Sequence, residues 1–194
     1  VSGHFEDLDF MVDPGKLLPE IRPLLAEDRL NELGPGTPNV AVRSQLQALE
    51  PLLLAKAYDR HFALACLAGL WLYHDFLDES HALSQDLDTL EGSYWHGLMH
   101  RREPDYGNSK YWFRRVPHHP IFADLQAAAS KFAAMADTPR GSEFLGRQSS
   151  WDAPAFVDCC EIAARDGAAL SMLCRRIQRC EWDLLFQYCH ERAF

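Results

Sequence analysis

At 194 residues the chain is near the size of one domain, long enough to bury a single core without disulfide or metal staples. Its 47% hydrophobic and 24% charged content argues against disorder, and a mean hydropathy of -0.26 is too polar for a membrane protein. A net charge of -9 argues against nucleic acid as the principal partner, because phosphate backbones require a positive surface.

In chain order, Val1 to Phe10 (VSGHFEDLDF) carries neither a basic start nor an apolar stretch. No secretory signal is expected there and a cytoplasmic location is, with a removed leader left open by the missing initiator Met. A short helix is expected near Lys16 to Glu32, interrupted by Pro19 and Pro23, and LGPGTPN (Leu33 to Asn39) ends it. Helical character follows from Val42 to about Asp86, with a break expected near Glu50-Pro51. Within it the longest apolar run, Phe62 to Tyr73, has 12 residues, short of the roughly 20 that cross a bilayer, and reads as a core helix. Gly92-Ser93 introduces a helix that Pro104 ends. A turn at Glu103 to Gly107 follows, with Gly107 free to take positive φ and Asn108 or Ser109 able to cap a second short helix.

Further along, Pro120 to Ala136 reads as an Ala-rich helix, and Asp152-Ala-Pro154 starts another by an acidic cap with Pro near the first turn. From Ala168 to His190, apolar residues recur at three-and-four spacing with Glu181 the polar exception, which gives one amphipathic helix. Strand signals are weak throughout. The fold class is therefore all-α, a compact single-domain bundle of about five to eight helices over residues 1–194, in which sites form between side chains on facing helices. Cys66, Cys159, Cys160, Cys174, Cys180 and Cys189 show no CxxC or finger-like spacing, so thiolate zinc is unsupported and buried, reduced thiols are expected.

Two stretches carry the chemistry. On an unbroken helix with His74 at zero, Asp78, His81 and Gln85 fall at about 40°, -20° and 20°, one narrow polar stripe. That stripe continues an apolar face, as a pocket wall would, although a break at Asp78 to Ser80 would scatter it and a solvated face would look the same. In the second stretch, His96, His100 and Glu103 have HxxxHxxE spacing, which puts two imidazoles and a carboxylate on one face. Such a trio makes an open three-ligand metal site, and imidazole with carboxylate favours zinc or iron. The candidate metal ligands are thus His74, His81, His96, His100 and Glu103. As acid/base groups His96 and His100 stand out, with Asp78 as a candidate to orient them. The ExxH pattern of di-iron bundles is absent.

The 23 residues Ser93 to Arg115 hold six aromatics, two histidines and five cations. Residues 101–115 have five cations against two acids, a local +3 that leaves -12 for the rest, and a basic island in an acidic chain suits a small anion. Arg101, Arg102, Arg114 and Arg115 are candidates to grip phosphate or carboxylate by two-pronged contacts, with Trp112 among the aromatics walling the ligand. The alternative is arginines spent in salt bridges at helix ends. His118-His119-Pro120 suits either a helix start or the same pocket.

The strings HDFLDESHALSQ and GSYWHGLMHRREPDYGNSKYWFRRVPHHPIF resemble a family of uncharacterised bacterial and fungal proteins sharing this block. The likeness spans His74 to Phe122, about a quarter of the chain, and this chain has Pro117 where the resemblance implies glycine. It implies a shared site in residues 74–122 without naming a reaction. Two functions are therefore expected to compete. One is a pocket for a small anionic ligand, metal-bound and enzymatic. The other is a non-catalytic homo-oligomer that uses the aromatic and arginine block as an interface, since Trp, Tyr and Arg dominate interface hot spots.

Overall fold

The computed structural model describes residues 12–166 and 168–194. The expectation about a leader in Val1 to Phe10 concerns residues outside these. Proline governs the first part of the described chain. In place of a helix over Lys16 to Glu32 there are two short 3-10 turns, Pro14–Lys16 and Arg22–Leu25. Pro19 and Pro23 remove the amides a longer helix would need. A third turn, Val40–Val42, leads into α1, Arg43–Lys56.

Contrary to the expected break at Glu50-Pro51, α1 runs through Pro51. The ring sits on the exposed side, while Leu46, Leu49 and Leu53 are buried on the other and offset the lost bond to Gln47. The chain breaks instead at Ala57 to Asp59, where the Asp59 carboxylate accepts from His61 N at 2.8 Å and caps α2, Arg60–Tyr73. A second break follows at once. Asp75 adopts φ of 64°, so α2 ends at Tyr73 and α3 begins afresh at Leu77–Gln85. The His74 to Gln85 stripe is therefore not one helical face.

Thr89 caps α4, Leu90–Arg102, a turn earlier than Gly92-Ser93. Asp105, rather than Asn108 or Ser109, caps α5, Tyr106–Phe113, by accepting from Asn108 N at 3.1 Å. Gly107 lies inside α5 and needs no positive φ. The expected helix, turn and second helix are present with these shifted caps. The remaining elements are α6 (Phe122–Met135), a 3-10 turn (Glu143–Gly146), α7 (Ala153–Asp166) and α8 (Ala168–Ala193). Among the described residues there are eight α-helices and no strand, so the class is all-α. No helix among them is long and apolar enough to cross a membrane.

Helix α4 is the centre of the packing, since every residue from Glu91 to Arg102 is buried. It lies against α2, α3 and α5, and α2 in turn packs on α8. At Gly69 of α2 an added Cβ would lie 2.7 Å from the Trp95 ring, and Trp182 of α8 donates to Gly69 O at 2.8 Å, so three helices meet around a residue that has to be small. The polar exception on α8 also finds its reason. Glu181 accepts from Arg101 Nη2 at 2.6 Å and from the Tyr94 hydroxyl at 3.0 Å, with the side chains of Arg101 and Glu181 both 0% exposed. Residues 29–35 lie across this assembly. Arg175 and Gln178 of α8 donate to their carbonyls, as does Arg102 of α4, and Asp75 collects Arg29, Asn31 and Arg102. The left-handed Asp75 is thus fixed by tertiary contacts.

Candidate metal centre

Helix α4 carries His96 and His100 one turn apart, and α3 lays His81 over them. One ligand-capable atom from each of the three lies within 4.8 Å of the others. Ring centroids are 4.5 Å (His81 to His96), 5.4 Å (His81 to His100) and 4.7 Å (His96 to His100) apart. With metal–nitrogen bonds of about 2.0–2.1 Å, tetrahedral ligands stand roughly 3.4 Å from one another. Closing from 4.8 Å therefore takes side-chain rotations of about 1 Å, with no movement of helices.

Hydrogen bonds set the tautomers. His100 Nδ1 lies 3.0 Å from Glu103 Oε2, so Nδ1–H donates to the carboxylate and Nε2 keeps its lone pair. At present that lone pair accepts from the Asn108 amide at 2.9 Å. Ser84 Oγ donates to His81 O at 3.3 Å and lies 3.3 Å from His96 Nδ1, so it accepts from Nδ1–H and frees His96 Nε2 as well. Orienting partners of this kind, a carboxylate and a hydroxyl behind the imidazoles, are what metal-binding histidines use. The Trp112 ring lies 4.0 Å from His96 at 33° and covers one side of the cluster.

Charge state fits the same use. Burial, reinforced by His100 and His81, pushes the His96 imidazole down to about 3. Burial also lowers His100, against the pull of Glu103. Both rings are neutral at pH 7 and offer lone pairs, as metal ligation requires.

The other residues singled out in the sequence lie as follows. His74 is outside the cluster, its Nε2 donating to Leu24 O at 2.9 Å while Nδ1 faces the Asn39 amide at 3.4 Å. The break at Asp75 is what separates it from His81. Asp78 and Gln85 are exposed on α3, and Asp78 in the first turn complements the helix dipole there. Glu103 stands behind His100 rather than beside it as a third ligand. Arg101 is committed to Glu181, and Arg102 to Asp75 at 2.6 Å and the carbonyls of Gly34 and Pro35. Neither faces the histidines as a free anion clamp. Arg114 and Arg115 are exposed after α5. Arg115 lies over Trp112 at 5.3 Å, and so next to the ring that covers His96, whereas Arg114 lies 6.0 Å over Tyr111. His118 is exposed, and His119 is buried against Tyr94 and Tyr188, with its O accepting from Phe122 N to start α6.

Ser84 and Asn108 are part of this geometry without having been singled out as site residues. Ser84 follows His81 by three residues, one turn on, which is a readable signal. Asn108 had none beyond its turn chemistry. Compared with protein-family models, with curated proteins and with solved structures, the chain matches none.

Proposed function

We propose that the protein is a metal-dependent enzyme whose centre is His81, His96 and His100, and that zinc is the metal. The convergence of three imidazoles from two packed helices, with His96 and His100 held neutral by burial, carries this reading. Iron is the weaker candidate, because Glu103 is engaged with His100 Nδ1 and a two-histidine, one-carboxylate set is not what the side chains present. Three neutral protein ligands leave the +2 charge of the ion uncancelled and a fourth position open. Bound there, zinc would supply Lewis acidity toward water or toward an oxygen of the substrate.

The chain's own residues would do the rest. Glu103 and Ser84 hold the imidazoles in one tautomer and orientation, and Trp112 excludes water from one side. Arg115, seated over Trp112, has its Nη2 3.5 Å from the exposed Asp88 carboxylate and would exchange that loose surface pair for a small phosphate or carboxylate. Six buried, unpaired thiols suit a reducing compartment, so a cytoplasmic location belongs to the proposal.

The rival reading, an oligomer interface built on the same block, has less surface to use. Tyr94, Trp95 and Phe113 lie in the chain's own core, which leaves Tyr111, Arg114 and Arg115 exposed. Elemental analysis of protein purified without a histidine tag or chelator tests the proposal. About one equivalent of zinc is expected, lost in His96→Ala with His100→Ala. Metal-free protein whose thermal midpoint ignores both chelator and added zinc would overturn it.

A further inference from the structure

All six cysteines are buried and none is in a disulfide. Cys159 of α7 and Cys174 of α8 bring their Sγ atoms to 3.6 Å across the helix interface. A disulfide has sulfurs about 2.05 Å apart, so side-chain rotation of roughly 1.5 Å closes the gap. The two thiols are not equivalent. Cys159 Sγ lies 3.5 Å from Gly141 O, and Gly141 lines an open surface groove with Arg140, Glu143, Ile162 and Leu170. Cys159 therefore sits just behind the groove wall, whereas Cys174 is fully buried behind it.

We propose that Cys159 and Cys174 are a peroxide-responsive dithiol that closes to a disulfide tying α7 to α8. The Cys159 thiolate attacks one oxygen of hydrogen peroxide, the O–O bond breaks, and the departing hydroxide takes up a proton to leave as water. Cys159 is then a sulfenic acid. Cys174 Sγ attacks that sulfur, the S–O bond breaks, and the hydroxyl leaves as a second water with the proton from Cys174. Two thiols are oxidised and one peroxide is reduced to two waters. The hydrogen bond from Cys174 pulls the Cys159 thiol below its usual range, which favours Cys159 as the attacking sulfur, and the same contact, a contact with Cys160 and burial push Cys174 far up.

Peroxide treatment of the folded full chain, followed by alkylation in denaturant and tryptic mapping, tests this directly. Two of the six thiols should escape alkylation, and peptide 148–165 should be joined to peptide 166–175. Because Cys159 and Cys160 share the first peptide, fragmentation of the joined pair must place the bond on Cys159, a reading that needs no variant. In variants, Cys160→Ser should keep the link, Cys159→Ser should lose it, and Cys174→Ser should leave a sulfenic acid at Cys159 that a dimedone-type reagent captures. A link through Cys160, a link surviving Cys159→Ser, or six free thiols until the protein is unfolded would each overturn the proposal.

Discussion

Replacing Glu181 by Leu removes the carboxylate paired with Arg101, and the cost can be worked from the surroundings. The Arg101 side chain is 0% exposed, its Nε and Nη1 have no hydrogen-bond partner among the described residues, and the Phe156 ring lies 4.8 Å away. A guanidinium so enclosed cannot recruit water when its carboxylate is gone. Breaking one side of a buried pair costs about 3–5 kcal/mol, a large part of the roughly 5–15 kcal/mol that holds a domain folded. Removing both charges, with Arg101→Met beside Glu181→Leu, should recover most of that loss, because the desolvation of two ions disappears together with their attraction. What remains is the Tyr94 hydroxyl, which loses its acceptor at about 1–3 kcal/mol, and Tyr94→Phe in the same background should restore it. Urea unfolding of five proteins, the parent, Glu181→Leu, Arg101→Met, the double and the triple variant, measures each step as a shift in midpoint at constant slope. A Glu181→Leu loss below about 1 kcal/mol, or a double variant as unstable as the sum of the singles, would show that the pair is hydrated or that the core gives way around it. Because Arg101 directly follows His100, this pair also fixes the helix that presents the metal centre.

Three further outcomes are expected. Glu103→Ala should weaken zinc binding about 10- to 100-fold in competition with a chromophoric chelator, since it leaves the ligands in place but frees the His100 tautomer; a loss under about threefold contradicts that role. At Gly36, where φ is +73° and an added Cβ would lie 2.7 Å from Asp75 Cγ, substitution by Ala should cost on the order of 1–3 kcal/mol of unfolding free energy, and a neutral effect would mean that residues 29–35 are not held as described. The metal-free protein should lose stability as the pH falls. Above about 6.5 His96 is neutral folded and unfolded, but between about 6.5 and 3 only the unfolded chain takes up its proton, so stability drops by about 1.4 kcal/mol per pH unit for this residue. Urea midpoints in chelator from pH 7 to 5 should fall less steeply in His96→Gln, and parallel slopes would contradict the account.

Elements whose signals are local were readable in the sequence. The Ala-rich α6, the Asp152 cap of α7 and the three-and-four spacing of α8 all carry their cause within a few residues. Two breaks were misplaced for complementary reasons. Pro51 is a strong local breaker that the burial of three leucines overrides. Asp75 is a weak one, made decisive by Arg29, Asn31 and Arg102, which lie 46, 44 and 27 residues away in sequence. The arginines show the same limit. Composition counts the charge of Arg101 and Arg102, but only the fold pairs them with Glu181 and Asp75. His96 and His100 share a face by spacing alone, whereas His81 joins them because α3 packs on α4.

The central claim is that His81, His96 and His100 hold one zinc ion, and crystals of untagged protein grown with zinc test it most directly. Anomalous difference maps from data above and below the zinc absorption edge should show one strong peak, within about 2.0–2.1 Å of a nitrogen from each of the three rings, with Glu103 still behind His100. An empty histidine cluster in zinc-soaked crystals, or a peak bound elsewhere on the surface, would contradict it.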